Sequence, residues 1–483
     1  MSVSLICALF FLVLAATIPG RALAKLDIPY PFYAVSGPQN QVKVIEDGIT
    51  ALHLRVEMIR RAKKNIEVEY FIFNTDTAGK IIASELVAAA KRGVNVRVLV
   101  DKSFTVLKLK FNIAKELATH KVKLRYYNPA AIYRISTANF RNHRKLISVD
   151  DREAITGGRN MGDDYFDLST HFNFNDRDIY IQGPMARALR DSFDSYYNHE
   201  ISERPDLKQE VSVKDAAAAK AFLREGPAEV AARNRMSTVG KSVLSGLQAY
   251  SCPELTYATD APGGDFSNRL DPEYSGNFRH LRKVLRDRIS KVNERLIISS
   301  PYMIHNSRTE EIFAGLVAKK VKIHIYTNSL ASTDAIYVAA NMYLGLQDWL
   351  SKGVQVYLHD GHWPGLNPNT PVAIRNAIWG THAKTQIYES TNSSEVMIGS
   401  YNVDNRSNFY NNELAVFCKG NPQFTAEVKR GIVALTERGL KVRRNNTAID
   451  RHGKIKNIYG TEETEVIKMK AATLPSWLLK FLL

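Results

Sequence analysis

The sequence repeats one order of helices and strands in its two halves. Val94 and Val122 begin two predicted buried strands of the first half, and helices predicted from apolar periodicity alternate with such strands. Val321 and Val354 begin strands of the same kind in the second half, 227 and 232 positions later. Because successive elements keep this nearly constant spacing, the pattern indicates duplication of a whole domain and not a short solenoid repeat.

The alternation of helices and strands places each half in the α/β class, as an α/β sandwich with a substantially parallel sheet. We assign residues 25–205 to the first half and residues 261–440 to the second half. A helical connection at 206–260 joins the halves, and a polar, charged tail occupies 441–483. With 483 residues, 45% of them apolar, the chain can bury a large core, which excludes disordered and fibrous classes.

The first 24 residues predict an export signal. An apolar run at 5–17 is too short to span a bilayer comfortably, and Ala22 and Ala24 supply the small residues of a signal-peptidase site. An uncleaved N-terminal anchor is the alternative, since no Lys or Arg precedes the apolar run. We therefore expect an exported protein, periplasmic or secreted, that associates peripherally with a membrane.

Cysteine usage and motif content argue against several kinds of site. The sequence contains no Cys-x-x-Cys, no His-Glu-x-x-His and no Gly-rich phosphate-binding loop, which disfavours thiolate zinc sites and P-loop chemistry. Outside the signal, the cysteines are Cys252 and Cys418, which are able to form one disulfide. We expect no metal ion and no cofactor.

The chain is strongly basic. Its 65 Lys and Arg exceed its 49 Asp and Glu, which gives a formal net charge of +16. Such a charge attracts polyanions, and the candidate partners are nucleic acid, an anionic membrane surface or a phosphate-bearing substrate. Net charge alone does not choose among them.

Each half contains one His-x-Lys-x4-acid pattern, followed by a Gly-[Gly/Ser]-x-Asn pattern. The residues are His143, Lys145, Asp150 and Asn160 in the first half and His382, Lys384, Glu389 and Asn402 in the second half. In a chain with 12 His, the His-x-Lys-x4-acid pattern is expected by chance on the order of 0.1 times. Its presence once in each repeat is therefore not accidental.

These residue types suit chemistry on a phosphodiester. On an alternating strand His and Lys project from one face, and Lys145, Asn160, Lys384 and Asn402 would bind the phosphate oxygens. A histidine attacks phosphorus or transfers a proton near neutral pH. With two such sets facing each other, one histidine would form a phosphohistidine while the other protonates the leaving alcohol and later deprotonates the incoming one. This chemistry needs no metal.

An acid downstream of each motif is expected to orient its histidine. Asp178 lies 35 positions after His143, and Glu413 lies 31 positions after His382. We predict that each acid holds the histidine of its own half in one tautomer. The alternative is a surface acid at the end of a strand.

The motifs resemble those of the phospholipase D superfamily, which is marked by a duplicated His-x-Lys-x4-Asp. Residues 157–166 (GGRNMGDDYF) and 402–407 (NVDNRS) are similar to signatures of its bacterial cardiolipin-synthase-like members. The resemblance covers almost the whole mature chain and implies two similar halves with the active site at their interface. It also implies that His143 is the nucleophile, that His382 is the general acid and base, and that hydrolysis or transphosphatidylation is metal-independent.

The second motif departs from the family pattern. Glu389 stands where the family usually has Asp, and His382 and Asn402 are 20 positions apart against 17 for His143 and Asn160. The carboxyl at this place is expected to support the motif from behind, so that an extra methylene is tolerated.

The resemblance favours a phospholipase D or cardiolipin synthase that acts as a monomer on phospholipids at an anionic membrane surface. Water, a primary alcohol or a second phospholipid would be the acceptor. The alternative is an exported nuclease of the same superfamily, with nucleic acid as its partner. A third class, a phospholipid-binding protein without activity, fits the sequence less well because all six His, Lys and Asn residues of the paired motifs are present.

Overall fold

The computed structural model describes residues 27–103, 109–129, 140–264 and 278–458. The predicted signal lies outside the described residues, as does the end of the predicted tail from residue 459. Two mixed β-sheets with helices around them make up the described part of the chain.

The elements up to residue 251 form most of the first half. The strands up to this residue are β1 (Tyr33–Ser36), which joins the edge of the second half's sheet, β2 (Gln41–Ile45), β3 (Asn65–Tyr70), β4 (Asn95–Asp101), β5 (Lys123–Tyr127), β6 (Leu146–Val149), β7 (Glu153–Gly157), β8 (Phe172–Asn175), β9 (Asp178–Gln182), β10 (Ser202–Glu203) and β11 (Tyr250–Ser251). Its helices are α1 (Gly48–Arg61), α2 (Thr77–Lys91), α3 (Phe111–Thr119), α4 (Met185–Tyr197), α5 (Val213–Phe222), α6 (Pro227–Arg235) and α7 (Lys241–Gly246). A 3₁₀ turn covers Asp163–Tyr165, and a π-helical turn at Met236–Gly240 joins α6 to α7.

The later elements form the second half. Its strands are β12 (Glu254–Thr259), β13 (Arg295–Ser299), β14 (Lys322–Asn328), β15 (Gln355–His359), β16 (Ile378–Thr381), β17 (Thr385–Ser390), β18 (Ser393–Gly399), β19 (Leu414–Lys419), β20 (Leu440–Arg443), β21 (Thr447–Ile449) and β22 (Ile455–Asn457). Its helices are α8 (His280–Ser290), α9 (Ser307–Ala318), α10 (Ile336–Ser351), α11 (Val372–Arg375) and α12 (Pro422–Arg438). A π-helical turn covers Arg406–Tyr410.

The two large sheets have the same strand order, which confirms the predicted duplication. The first contains the run β5-β4-β3-β6-β7-β9-β2, and the second contains β15-β14-β13-β17-β18-β19-β12. The prediction of substantially parallel sheets is wrong, because among the described strands of these two large sheets only β3, β4 and β5 and their counterparts β13, β14 and β15 pair in parallel. Short connections such as the one from β6 to β7 impose antiparallel pairing on the rest.

Each sheet is covered on its outer face by helices of its own half. Helix α1 begins where the Asp47 side chain accepts the N–H of Thr50, and it buries an apolar face that includes Leu52 and Val56. Helices α8, α9 and α10 cover the second sheet in the same way. A separate core contains residues of both halves together with α4 and α12. The halves therefore share an apolar interface, which fixes their relative position.

The connection between the halves is helical only in part. Helices α5, α6 and α7 occupy residues 213–246, but β12 lies inside the segment predicted as a connection and pairs with β19 of the second sheet. Strands β20 to β22 likewise extend that sheet into the predicted tail. The second sheet thus begins before residue 261 and continues past residue 440.

Cys252 and Cys418 form a disulfide, with their Cα atoms 5.5 Å apart. It ties the segment between β11 and β12 to β19, and both cysteines are buried. Among the described helices, none combines the length and the apolar character that crossing a membrane requires.

Two backbone pairings across the halves shape the region of the motifs. Strands β8 and β16 form a parallel two-stranded sheet, although they come from different halves. Asn142 and Asn412 form a parallel bridge in the corresponding place. The residues that follow β8 and β16, and those next to the bridge, are thereby brought together.

Candidate active site

The two histidines of the duplicated motif lie at the boundary between the halves. His143 lies three residues before β6, and its backbone N–H donates to the carbonyl of Asn412 at 3.0 Å. His382 directly follows β16, and its N–H donates to the carbonyl of Asn175 at 2.7 Å. Each histidine is therefore held by the backbone of the other half.

The carboxylate partners of the histidines also cross between the halves. His143 Nδ1 lies 3.0 Å from both carboxylate oxygens of Glu413. His382 Nδ1 lies 2.7 Å from Asp176 Oδ2. The prediction that Asp178 orients His143 and that Glu413 orients His382 is wrong. Glu413 bonds His143 of the opposite half, and Asp176, not Asp178, bonds His382.

Asp178 has a different place. It is fully buried, and its Oδ2 lies 2.9 Å from Arg55 Nη2 and 3.1 Å from Arg159 Nη1. Within the described residues it makes no hydrogen bond to either histidine. The reason is positional: Asp178 is already in β9 of the first sheet, whereas Asp176 follows β8, which pairs with the other half.

Asp176 is the functional residue that sequence reasoning missed. A signal was present, because Asn175-Asp176 and Asn412-Glu413 are both Asn-acid pairs, 237 positions apart. In each pair, the Asn carbonyl accepts the backbone N–H of a motif histidine, and the acid bonds the ring Nδ1 of the same histidine. Aligning the two dipeptides would have selected Asp176 in place of Asp178.

Glu413 is surrounded by hydrogen-bond donors. The hydroxyls of Ser400 and Ser407 both donate to it, Ser407 at 2.7 Å, and Asn411 Nδ2 donates at 3.3 Å. Burial raises the pKa of Glu413, but His143, Lys145 and Ser400 outweigh burial, so the net pKa is lowered. Glu413 is therefore an anion that fixes the hydrogen of His143 on Nδ1 and leaves Nε2 free.

Asp176 has fewer donors. Its Oδ1 accepts the N–H of Arg177 at 2.7 Å, and burial raises its pKa even though Lys384 opposes the increase. Gly158 occupies the place that corresponds to Ser400, two residues before the motif asparagine. A Cβ at Gly158 would lie 2.1 Å from Asp176 Oδ1, so the carboxylate takes up the space that a serine side chain would need.

The two lysines are buried beside the histidines. Lys145 Nζ donates to the His143 carbonyl at 2.5 Å, and Lys384 Nζ donates to the His382 carbonyl at 2.7 Å and lies 2.8 Å from both ring nitrogens of His382. Burial lowers the pKa of Lys384 to about 8, and burial together with Lys384 holds the pKa of Lys145 well below its usual value. Two crowded ammonium groups favour an anion between them.

This donor set suits an anion better than a metal cation. Glu413 and Asp176 each already bond a histidine, and Lys145 and Lys384 place positive charge next to them. A divalent ion would have to displace these contacts and would meet both ammonium groups.

Both imidazoles are neutral in the unliganded site. Burial lowers the pKa of His143 to about 4, and Lys145 adds to the decrease while Glu413 opposes it. Burial, Lys384 and Lys145 hold the pKa of His382 well below its usual value. A bound phosphate anion would offset the lysine charges and raise the pKa of both histidines.

The motif asparagines lie beside this centre. Asn160 donates to the Tyr165 hydroxyl at 2.9 Å and accepts the N–H of Ile72 at 3.4 Å. The backbone N–H of Asn402 donates to Ser407 Oγ at 3.1 Å, and its side-chain oxygen is buried without a hydrogen-bond partner among the described residues. The Asn402 amide therefore has unused bonding capacity.

Aromatic rings form the walls around the histidines. The Phe71 ring lies edge-on to His143 with centroids 5.1 Å apart. The rings of Tyr165 and Phe174 lie 5.1 and 4.9 Å from His382. These walls exclude water, and the resulting low dielectric strengthens the charge interactions inside.

Asp150 and Glu389, the acids of the motif pattern, lie away from the histidines. Asp150 accepts the backbone N–H groups of residues 63–65 at 2.7, 2.7 and 2.8 Å. Glu389 accepts from Lys429 Nζ at 2.6 Å and lies 3.6 Å from Arg295 Nε. Their inclusion among the catalytic residues is corrected: both hold the fold behind the motif.

A family model described as cardiolipin synthase, PLD-like domain, matches residues 56–196 and 285–443. The two matched regions correspond to the two sheets and together cover more than half of the chain.

Two similar proteins cover most of the chain. Cardiolipin synthase C of Escherichia coli K12 is 27% identical over 90% of this chain and 92% of its own. The major cardiolipin synthase ClsA of Bacillus subtilis is 24% identical over 80% of this chain and 67% of its own. The crystal structure of phosphatidylserine synthase from Haemophilus influenzae Rd KW20 superposes with a TM-score of 0.62 at 15% identity, over 92% of this chain and 95% of that one, and so shares the fold.

Proposed function

Since the chain belongs to the cardiolipin synthase family of phospholipase D-like proteins and therefore to the enzymes that cleave or transfer phospholipid phosphodiesters, we propose that it transfers phosphatidyl groups through a phosphohistidine. The observation that supports this most is the pair of carboxylate-bound histidines, each next to a buried lysine, at one boundary between the halves. Water, a primary alcohol or a second phospholipid serves as acceptor.

In the first step, His143 Nε2 attacks phosphorus. The N–P bond forms, the bond from phosphorus to the leaving alcohol breaks, and His382 Nε2 delivers a proton to that alcohol. In the empty site, the positive charges of Lys145 and Lys384 help to keep His382 neutral. The substrate phosphate binds to both lysines and offsets these charges, so that His382 takes up the proton.

In the second step, the acceptor hydroxyl replaces the alcohol beside His382. His382 removes the hydroxyl proton, the acceptor oxygen attacks phosphorus, and the N–P bond to His143 breaks. His382 is then protonated for the next leaving group, and the charge balance is restored.

The different surroundings of the two acids support His143 as the nucleophile. Phosphorylated His143 carries positive charge, and Glu413 is a well-bonded carboxylate with a lowered pKa that stabilises this charge. Asp176, whose pKa burial raises, is the less strongly anionic partner. It suits His382, which gains and loses a proton in each cycle.

We further propose that the protein is exported and acts at an anionic membrane surface. The predicted signal at residues 1–24 and the net charge of +16 support this location. The buried Cys252–Cys418 disulfide also supports it, because disulfides persist in oxidising compartments.

The test is an assay of the purified full chain on phosphatidylglycerol, phosphatidylethanolamine and phosphatidylcholine with EDTA and a primary alcohol present. We expect phosphatidic acid or the phosphatidyl-alcohol, and no product from His143→Asn. His362→Asn is the matched control, because the side chain of His362 is 81% exposed. Absence of product from every lipid, with cleavage of plasmid DNA that His143→Asn abolishes, would replace the proposal by a nuclease.

A further inference from the structure

The exposed carboxylate of Asp334 lies near His382, the histidine that donates and accepts protons in the proposed mechanism. Asp334 lies in the loop between β14 and α10, at the carboxyl edge of the parallel strands, where ligands bind in open α/β sheets. Its side chain is exposed, and its Oδ1 accepts a hydrogen bond from the Tyr302 hydroxyl at 2.7 Å.

The loop of Asp334 is anchored to the residue before His382. The Asn328 side chain bonds both the N–H of Thr381, at 2.7 Å, and its carbonyl, at 2.9 Å. Ser332 Oγ in turn bonds Asn328 Oδ1 at 3.2 Å. These contacts fix the loop against the backbone that carries His382.

The Asp334 carboxylate is also within electrostatic reach of the groups around His382. Burial lowers the pKa of Lys384, and Asp334 is one of the carboxylates that oppose this decrease. Burial raises the pKa of Tyr165, whose ring lies against His382, and Asp334 adds to that increase.

The hydroxyl that bonds Asp334 belongs to the second half, and the corresponding residue of the first half has none. Met303 bridges to Val403 in the second half as Phe73 bridges to Met161 in the first. Tyr302 therefore corresponds to the residue before Phe73, which is an isoleucine. The Tyr302–Asp334 pair is a feature of the half that carries His382.

A carboxylate at this place repels the phosphate of a substrate unless the substrate also offers it a hydrogen-bond donor. The group beside His382 in the proposed mechanism is the headgroup alcohol that leaves or enters. We propose that Asp334, oriented by Tyr302, accepts a hydrogen bond from a hydroxyl or ammonium group of that headgroup, and so makes the enzyme selective for headgroups that carry a donor. This inference rests on the proposed function.

The experiment compares kcat/KM for three short-chain lipids with the full chain. Dioctanoyl phosphatidylglycerol and phosphatidylethanolamine carry a donor in the headgroup, whereas dioctanoyl phosphatidylmethanol has none and matches the charge of phosphatidylglycerol. A hydrogen bond to a charged group changes the ratio of kcat/KM between a donor-bearing lipid and phosphatidylmethanol by about 10- to 100-fold. We expect Asp334→Asn to lower the preference for both donor-bearing lipids over phosphatidylmethanol by at least about 10-fold.

Two further variants make the result specific. Tyr302→Phe keeps the Asp334 carboxylate but removes the hydroxyl that orients it. We expect this variant to lower the preference for donor-bearing lipids by less than Asp334→Asn does. Asp206→Asn, at an exposed acid in the connection between the halves, should leave the ratio unchanged. A folded Asp334→Asn protein with the wild-type ratio, or with equal losses on all three lipids, would overturn the inference. Wild-type protein that turns over none of the lipids would instead refute the proposed function, and the inference would fall with it.

Discussion

The two half-sites share their residue types but differ in what surrounds each carboxylate. Glu413, which bonds His143, receives hydroxyl hydrogens from Ser400 and Ser407. Asp176, which bonds His382, lies against Gly158 and has no such hydroxyl among its described partners. Duplication thus produced one partner held as an anion and one whose pKa burial raises. This difference suits a nucleophile on one side and a proton carrier on the other.

The largest expected effect comes from removing the histidines. His143→Asn should lower turnover by about 10,000-fold or more, because no N–P bond can form. His382→Asn should lower lipid turnover by about 100- to 10,000-fold, the usual contribution of proton transfer. Rates on dioctanoyl phosphatidylglycerol measure both.

A substrate with a good leaving group separates the two roles. Bis(p-nitrophenyl) phosphate releases an alcohol that needs no proton, so His382→Asn should still give a burst of nitrophenol and a covalent adduct on His143, detectable by mass spectrometry of peptides. An adduct on His382 in the His143→Asn protein would reverse the assignment. Unchanged melting temperatures of both variants show that the losses are chemical.

The next effect tests the crossed carboxylates. Glu413→Gln should lower kcat by about 1,000- to 10,000-fold, because it removes the charge that stabilises phosphorylated His143 and the tautomer that exposes Nε2. Asp176→Asn should cost less, about 100-fold, and its loss should shrink with the nitrophenyl substrate because proton donation is then unnecessary. Equal losses of kcat in Glu413→Gln and Asp176→Asn on both substrates would contradict the assignment of His143 as nucleophile and His382 as proton donor.

Asp178→Asn is the contrasting variant. Asp178 neutralises two buried arginines, Arg55 and Arg159, and breaking a buried ion pair costs about 3–5 kcal/mol. We expect a lower denaturation midpoint, with kcat per folded molecule close to that of the wild type. A strong loss of kcat without destabilisation would show that Asp178 takes part in catalysis.

The case of Asp178 shows which parts of the site the sequence could predict. The duplicated order of elements and the His, Lys and Asn sets follow from local patterns, and the structure brings those residues together. The acid that orients each histidine depends on β8 crossing to pair with β16, a long-range event without a local periodicity. The mixed sheets were missed for a similar reason, since apolar strands read alike in either orientation.

The next expected effect concerns pH. The pKa of Lys384 is lowered to about 8 by burial, so Lys384 is charged below this pH and loses its proton as the pH rises through it. Since the charged form binds phosphate, loss of this proton should lower kcat/KM by a further factor of about 10 per pH unit above about 8, in addition to the effect of His382, which is already neutral in the free site. The pKa of His143, lowered to about 4, places the acidic limit near that value, because neutral imidazole is the nucleophile.

The pH profile also distinguishes binding from chemistry. kcat/KM reports the free enzyme, whereas kcat reports the complex, in which bound phosphate raises the lysine pKa. We therefore expect the alkaline decrease of kcat to lie at higher pH than that of kcat/KM. Coincident profiles would contradict the assignment of Lys384 to the phosphate.

The smallest effects come from the motif acids, Asp150 and Glu389, which occupy the same motif position but support different contacts. Asp150 accepts three backbone N–H groups, so Asp150→Ala should destabilise the fold by about 1–3 kcal/mol. Glu389 pairs with Lys429, whose side chain is 30% exposed, and a partly exposed pair contributes about 0–1 kcal/mol. Shortening it by Glu389→Asp should therefore lower the denaturation midpoint only slightly and leave kcat/KM unchanged. A loss of kcat/KM in Glu389→Asp, with stability retained, would show that the extra methylene of this motif reaches the chemistry after all.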